Sequence, residues 1–312
     1  MPAVVCFLLV CQNPAMTCLL AAALILQGST SISGHTREVS CIATSPKSAI
    51  AASGSVDLTI RLWDTDSKKS IGVLEGHGGE VHTVAFSPDG KLLASGERYN
   101  KVKVWDVASQ KEVQTWADSE SSVLGVVFST DGKQLFGACK DGNVRVWTLG
   151  SPAEGKKLRH SYMVNAITVT PDGKSIVSAD DGGTISFWDT KTLKQTRTLT
   201  QGAAVRCLAI SANGKWLTTG SLESVKLWDV ATGAEKASAK GEANSLCFTP
   251  DGSRIFVGTQ DNLVLCLNAA DLSQVWKQEK HERPVTGVAI TSDGKSMISS
   301  SMDYMLRVWP LK

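Results

Sequence analysis

The stretch Leu58-Thr59-Ile60-Arg61-Leu62-Trp63-Asp64 decides the fold, because similar stretches recur along the chain. Successive copies place a tryptophan at Trp63, Trp105, Trp147, Trp188, Trp228 and Trp309. The first four steps are 42, 42, 41 and 40 residues, and the last is 81. That double step contains Asn262-Leu263-Val264-Leu265-Cys266-Leu267-Asn268, in which Leu267 takes the tryptophan position. Seven units with a period near 40 indicate repeats that each pack against their neighbours.

Turn sequences recur in step with the tryptophans. In Ser87-Pro88-Asp89-Gly90 the proline presets φ for a turn, and the glycine supplies the positive φ that ends it. Alternating apolar residues flank the turn, which is typical of a β-hairpin. The corresponding turns of the other repeats are Ser45-Pro46-Lys47-Ser48, Ser129-Thr130-Asp131-Gly132, Thr170-Pro171-Asp172-Gly173, Ser211-Ala212-Asn213-Gly214, Thr249-Pro250-Asp251-Gly252 and Thr291-Ser292-Asp293-Gly294. Since no segment here has a sustained 3.6-residue apolar period, the repeats are predicted to be strands and turns.

These features resemble the WD-repeat family of β-propellers. Gly34-His35 with Trp63-Asp64, and Gly76-His77 with Trp105-Asp106, correspond to the two ends of that family's repeat. The resemblance covers residues 34 to 310 and departs from the pattern at Trp147-Thr148, Leu267-Asn268 and Trp309-Pro310. It implies an all-β fold, namely a seven-bladed propeller of four-stranded antiparallel blades.

The resemblance also implies a hydrogen-bonded network of His, Ser or Thr, Asp and Trp in each blade. Two complete sets are present: His35, Ser53, Asp57 and Trp63; and His281, Ser299, Asp303 and Trp309. Two further sets are nearly complete: His160, Ser178 and Trp188, with Asp181 one place out of register; and His77, Ser95 and Trp105, with Tyr99 where Asp is expected. Repeats three, five and six lack the histidine, and repeat six also lacks the tryptophan. We therefore expect blade six to be the least rigid.

Ring closure is predicted from the same resemblance, in which each repeat supplies the outer strand of one blade and three strands of the next. The last repeat ends shortly after Trp309, so the last blade needs an outer strand from the N-terminal side. Register with Ile71 to Glu75 places this strand at about Gln27 to Ser33, with Ile32 matching Leu74. The predicted domains are an apolar N-terminal segment at 1–26 and a propeller at 27–312.

The N-terminal segment allows three interpretations. Its two apolar runs, Ala3 to Cys11 and Cys18 to Leu26, are each shorter than the ~20 residues that span a bilayer as a helix. The second run has the length of a signal-peptide core, but no basic residues precede it. An export signal or membrane anchor is favoured, which predicts an exported or anchored protein. A misassigned start, with Met16 as the alternative and a cytoplasmic location, and a terminal strand packed on the propeller both stay open.

Catalytic and cofactor-binding patterns are missing from the sequence. It contains no G-x-S-x-G elbow, no phosphate-binding loop and no calcium-binding D-x-D-x-D-G loop. Four of the five histidines share one repeat position, where propeller geometry keeps them apart. A net charge of +2 gives no electrostatic reason to expect nucleic acid as the partner. We predict that the chain is not an enzyme and that it holds no cofactor and no metal.

The predicted function is that of a monomeric scaffold that binds a protein or peptide. The resemblance implies that the narrower, top face of the ring carries the partner. The matching positions are Glu38, Glu80, His82, Arg98, Tyr99, Lys140, Tyr162, Asn165, Arg206, Asn244, Gln260 and Arg283. Arg98, Tyr99 and Arg206 are favoured because binding hot spots are rich in Tyr and Arg. Two alternatives stay open: an exported or anchored sensor or scaffold in a multi-component system, and an enzyme or small-ligand binder that uses the central channel.

Overall fold

The computed structural model describes residues 28–311, so the apolar segment at 1–26 lies outside the described residues. The described chain forms seven antiparallel four-stranded sheets, which are the blades of a closed ring. Its strands and turns include no helix long and apolar enough to cross a bilayer. The predicted seven-bladed, all-β propeller is therefore confirmed.

In blades 1 to 6 the four strands follow one another along the chain from the channel outward. Blades 1 to 3 consist of β2 (Val39–Thr44), β3 (Ile50–Ser55), β4 (Ile60–Asp64) and β5 (Lys69–Leu74); β6 (Val81–Phe86), β7 (Leu92–Glu97), β8 (Val102–Asp106) and β9 (Lys111–Trp116); and β10 (Val123–Phe128), β11 (Gln134–Cys139), β12 (Asn143–Thr148) and β13 (Lys156–Arg159). Blades 4 to 6 consist of β14 (Val164–Val169), β15 (Ser175–Asp180), β16 (Thr184–Asp189) and β17 (Gln195–Thr200); β18 (Cys207–Ile210), β19 (Trp216–Gly220), β20 (Ser224–Asp229) and β21 (Glu235–Lys240); and β22 (Ser245–Phe248), β23 (Arg254–Gly258), β24 (Leu263–Asn268) and β25 (Gln274–Glu279). Blade 7 consists of β26 (Val285–Ile290), β27 (Ser296–Ser301) and β28 (Leu306–Pro310), with β1 (Thr30–Ile32) as its outer strand.

The hydrophobic core lies between neighbouring blades. One cluster, for example, joins Leu62 and Leu74 of blade 1 to Val81, Leu93 and Trp105 of blade 2. Each sheet thus buries both faces against its neighbours, and the apolar area removed from water holds adjacent blades together. Positions on each blade are consequently fixed relative to the next blade.

The ring closes through β1, as predicted, although this strand is shorter than the predicted Gln27 to Ser33. Thr30, Ser31 and Ile32 pair with Val308, Arg307 and Leu306 of β28. Ile32 thereby opposes Leu306 as Leu74 opposes Ile60 in blade 1, which confirms the predicted register. Closure leaves blade 7 with the same four strands as the other blades and covers an otherwise open sheet edge.

Candidate functional site

The top face of the ring consists of two sets of loops. One set joins each outer strand to the first strand of the next blade, and the other joins the second and third strands within each blade. The first set is 33–38, 75–80, 117–122, 160–163, 201–206, 241–244 and 280–284. The second set is 56–59, 98–101, 140–142, 181–183, 221–223, 259–262 and 302–305. Strands that alternate in direction bring both sets to one end of the blades, and the Ser-Pro-Asp-Gly type turns lie at the opposite, bottom face.

Below the top face, blades 1 and 7 contain the predicted four-residue networks. In blade 1 Trp63 Nε1 donates to Ser53 Oγ at 2.8 Å, and Ser53 Oγ lies 2.8 Å from His35 Nε2. His35 Nδ1 lies 2.8 Å from Asp57 Oδ2, which also accepts from the Thr36 amide. Because the carboxylate can only accept, His35 Nδ1–H donates to it, and Nε2 of the neutral imidazole is then the acceptor of the Ser53 hydroxyl hydrogen. His281, Ser299, Asp303 and Trp309 repeat this arrangement in blade 7.

Blades 2 and 4 take the carboxylate from a different position. In blade 2 Glu97, at the end of β7, places Oε2 2.8 Å from His77 Nδ1. In blade 4 the acid is Asp180, at the end of β15, with Oδ2 3.0 Å from His160 Nδ1. Asp181, which the sequence places one position out of register, is exposed and accepts from Asn165 Nδ2 instead. Tyr99 and Gly182 occupy the loop position that Asp57 holds in blade 1.

Blades 3, 5 and 6 lack the histidine. Blades 3 and 5 supply the buried tryptophan N–H with a different acceptor, and blade 6 has no tryptophan at this position. In blade 3 Asp118 accepts from Trp147 Nε1 at 2.9 Å and lies 3.6 Å from the buried Arg145 guanidinium. In blade 5 Gln201 Oε1 accepts from Thr219 Oγ1, which accepts from Trp228 Nε1. Blade 6 replaces the network with apolar packing, in which Leu267 lies among Val257, Leu246, Ala243, Ala269 and Leu272. Faster amide exchange in blade 6 than in the other blades remains a prediction.

The buried networks predict that stability falls toward acid pH. Burial lowers the pKa of His35 and His160, so as the pH falls the unfolded chain binds protons that these folded side chains exclude. Burial alone would raise the pKa of Asp57, but hydrogen bonds from Thr59, Thr36 and His35 outweigh this effect and lower the pKa to about 2. Both effects make the unfolded state bind more protons, so the free energy of unfolding decreases as pH falls from about 7 through about 4.

Urea unfolding followed by tryptophan fluorescence at several pH values measures this decline. His160→Gln is the matched variant, because Gln201 already accepts the hydroxyl hydrogen bond at this position in blade 5. In this variant the free energy of unfolding should decrease less between about pH 7 and about pH 5 than it does in the native chain. A stability that rises as the pH is lowered over that range would contradict the assignment of neutral, buried imidazoles.

The structure places the predicted surface residues at the top of the ring in separate groups. Arg98 Nη1 lies 2.8 Å from Glu80 Oε1 in blade 2, and Arg283 Nη1 lies 3.4 Å from Glu38 Oε1 where blade 7 meets blade 1. Gln260 accepts from Asn244 Nδ2 in blade 6. Arg206 is exposed in blade 5, three blades away from Arg98 and Tyr99. The three favoured residues therefore do not form one patch.

Two of the predicted contact residues also have a structural role. Asn165 Nδ2 donates to the Val205 carbonyl at 3.0 Å, and Asn244 Nδ2 donates to the Val285 carbonyl at 3.2 Å. Each bond links a blade to the next one at the rim of the channel. His82 occupies the corresponding bulge position of β6, where burial lowers its pKa. A bulge re-aims one side chain while the sheet continues beyond it.

Several exposed apolar residues of the top face were not predicted from the sequence. These are Leu58, Leu222, Met302 and Tyr304, each 37% exposed or more. A signal was present at two of them: Leu58 and Tyr304 both have φ of 73°, at a turn position that glycine or asparagine fills in blades 2, 3, 4 and 6. A bulky residue in this conformation is uncommon because its Cβ is crowded.

A cavity of about 530 Å³ lies at the bottom end of the channel. It is lined by apolar side chains such as Leu208, Leu246 and Phe248 and by turn hydroxyls, and no charged residue is among its lining. The five cysteines of the described chain are free, and burial raises the pKa of four of them to about 12 and that of Cys266 to about 11. Within 28–311 no three potential metal ligands cluster.

Comparison with known proteins gives six matches to the family described as "WD domain, G-beta repeat". They cover 27–64, 68–106, 110–148, 155–189, 193–229 and 272–310. The unmatched stretch between 229 and 272 contains Leu267, which stands in the tryptophan position of blade 6. Most of the chain is therefore matched to the repeats of a single family.

Two curated proteins of Arabidopsis thaliana share about a third of the chain. A "WD repeat-containing protein WDS homolog" is 29% identical over 106 residues, which is 31% of this chain and 20% of that protein. "Periodic tryptophan protein 2" is 28% identical over 102 residues, which is 31% of this chain and 11% of that protein. The similarity thus covers only a small part of each relative's length.

Proposed function

Since the chain belongs to the WD-repeat β-propeller family, we propose that it is a non-catalytic scaffold that binds a protein or peptide on its top face. The observation that carries this proposal is the distribution of exposed large apolar side chains. Of the nine such residues in the described chain, six lie in top-face loops and none lies in the bottom turns. The six are Leu58, Tyr99, Tyr162, Leu222, Met302 and Tyr304.

The chemistry of this face suits the binding of a polypeptide. Arg98 lies over the ring of Tyr99 at 6.0 Å, and Arg283 lies over the ring of Tyr304 at the same distance. Tyrosine and arginine contribute a large contact area together with hydrogen bonds, and they are enriched among the residues that dominate binding energy. Each arginine is also oriented by an acidic neighbour, Glu80 or Glu38.

The buried histidines, serines and carboxylates do not support catalysis. Each set is hydrogen-bonded to a tryptophan and repeats from blade to blade, so these groups stabilise the blades. Two of the hydroxyls that line the bottom cavity are already engaged, since Thr249 Oγ1 and Thr291 Oγ1 donate to Asp251 and Asp293. An active site would need convergent acid and base groups.

The proposal is tested by affinity capture with mass spectrometry on the full chain. A top-face variant carries Arg98→Glu, Tyr99→Ala and Arg206→Glu, three exposed positions where substitution should leave the fold intact. A control carries charge reversals on the bottom turns, Lys91→Glu and Lys133→Glu. We expect proteins captured by the native chain and by the control to be lost from the top-face variant, because each hot-spot residue contributes about 2 kcal/mol.

Circular dichroism first establishes that both variants are folded. If the same proteins bind the native chain and the top-face variant and are lost from the bottom-turn control, the top face is not the binding surface.

A further inference from the structure

The tyrosines of blades 2 and 4 are exposed for the same structural reason. Glu97 and Asp180 supply the network carboxylate from the strand end, so the loop position of Asp57 is not needed to hold the histidine. In blade 2 Tyr99 fills this position and its ring lies over Gly79. In blade 4 Gly182 fills it, and the ring of Tyr162 lies over this glycine. The two rings are 62% and 58% exposed, the highest values among the large apolar side chains of the described chain.

Each ring packs directly over a glycine, where any other residue would place a Cβ too close to the ring. A Cβ at position 79 would lie 2.7 Å from Tyr99 Cδ2, and a Cβ at position 182 would lie 2.2 Å from Tyr162 Cδ2. Each ring therefore packs against the backbone of the loop beneath it, in space that a side chain at the glycine position would fill. A preplaced aromatic ring binds with a small entropic cost, since little rotamer freedom remains to be lost.

The loop of blade 3 connects the two tyrosines. Ser122 Oγ donates to the Arg98 carbonyl at 2.8 Å, and the Lys140 amide donates to the Ser122 carbonyl at 2.9 Å. On the other side, a Cβ at Gly142 would lie 3.3 Å from the Tyr162 carbonyl oxygen. The loops that carry Arg98, Tyr99, Lys140 and Tyr162 are therefore linked to one another across blades 2 to 4, and we call these four residues the tyrosine strip.

The charges of the tyrosine strip favour an acidic ligand at its centre. Glu80 is held by Arg98, Glu120 by Lys157, and Asp141 by Arg145. Lys140 is exposed and has no ion-pair partner within 28–311. Asp181 lies next to Gly182, at the Tyr162 end, where it disfavours a second acid. A carboxylate of a partner therefore finds its counter-charge at Lys140, between the two rings.

We propose that the tyrosine strip binds an extended segment of a partner protein in which an acidic residue is flanked by aromatic or large apolar residues. The acidic side chain pairs with Lys140, and the flanking side chains pack on Tyr99 and Tyr162. This inference rests on the proposed top-face function and specifies where on the face, and for which sequence type, binding occurs. The exposed residues of blade 7, Met302 and Tyr304, lie outside the strip.

The test uses random peptides displayed on phage, in sublibraries whose central residue is fixed as Glu, Lys, Ser or Leu. The full-length protein is the bait, and selected peptides are resynthesised for affinity measurements. We expect binders from the Glu sublibrary, with aromatic or large apolar residues on both sides of the glutamate. Tyr99→Ala, Tyr162→Ala and Lys140→Glu should each weaken these peptides by about tenfold or more, as expected for hot-spot residues.

Matched variants separate a binding role from a structural one. Val113→Ala truncates an exposed apolar residue on the outer strand β9, away from the top face, and should change affinity by less than about twofold, as for most non-hot-spot positions. Lys140→Arg should keep binding, and Lys140→Glu should shift selection to the Lys sublibrary. Gly182→Ala should weaken binding without touching the ligand, because the new Cβ displaces the ring of Tyr162.

The outcomes distinguish the inference from the function on which it rests. Peptides that are lost with Tyr304→Ala but not with Tyr99→Ala or Tyr162→Ala would overturn the tyrosine strip and leave top-face binding in place. Binders dominated by the Lys sublibrary would overturn the acidic specificity. If no sublibrary yields a peptide sensitive to any top-face substitution, both the strip and the top-face function are rejected.

Discussion

Replacing Asp118 with alanine is expected to lower the free energy of unfolding by about 3–5 kcal/mol, the range found when one partner of a buried ion pair is removed. Asp118 accepts hydrogen bonds from Trp147 Nε1 and from the Gly155 amide at 2.7 Å, and it lies beside Arg145. Because the Arg145 side chain is fully buried, the variant leaves a guanidinium with only Asp141 to balance it. Urea unfolding followed by circular dichroism measures the loss.

Glu120→Ala is the matched control for Asp118→Ala. Glu120 lies in the same loop, but its side chain is 70% exposed and pairs with Lys157 at the surface. Exposed ion pairs contribute about 0–1 kcal/mol, so the control should be nearly as stable as the native chain. Equal losses for the two variants would show that Asp118 does not carry the buried network of blade 3.

Replacing Ile32 with alanine is expected to cost about 2–4 kcal/mol, as for other buried large-to-small substitutions. Ile32 is only 7% exposed and belongs to a cluster with Leu306 and Val308 of blade 7 and with Val39 and Trp63 of blade 1. It is the buried side chain of β1, whose three residues complete blade 7. Its loss weakens the outer closure of the ring between the last and first blades.

Ile71→Ala provides the control for Ile32→Ala, because it makes the same substitution on the outer strand of blade 1. Ile71 is 44% exposed, and its truncation should cost less than about 1 kcal/mol. Thermal and urea unfolding of the two variants would be compared in parallel. Similar losses for both would mean that β1 adds no more to stability than an exposed side chain does.

The fold could be predicted from the sequence because its information is periodic. The spacing of the tryptophans and turns indicated seven repeats, and the resemblance to the WD-repeat family implied a closing strand, which the register of Ile32 with Leu74 then located. Chain hydrophobicity alone could not locate where β1 begins. The structure starts it at Thr30, and Gly28 before it has a positive φ.

The networks were predictable only where the repeat is regular. Glu97 and Asp180 act from the strand end, a position that alignment by repeat does not associate with the histidine. Asp118 replaces a serine–histidine pair through a contact that spans 29 residues along the chain. Such substitutions depend on three-dimensional proximity, since different side chains reach one buried donor from different backbone positions.

The top-face residues could be assigned to a face, but their groupings could not be predicted. Repeat position placed Arg98, Tyr99 and Arg206 at the same end of the ring, yet blade order separates Arg206 from the other two. The rings of Tyr99 and Tyr162 pack over glycines of other loops, Gly79 and Gly182 respectively. These contacts arise from loop packing, on which periodicity gives no information.

Site-specific photo-cross-linking tests the central claim most directly. Benzoylphenylalanine is introduced into the full chain in place of Tyr99 on the top face or in place of Lys133 on the bottom turns, both of which are exposed. Irradiation in the source cells followed by mass spectrometry identifies the covalent adducts. We expect a polypeptide adduct at position 99 and none at position 133. Adducts at position 133 with none at position 99 would contradict it.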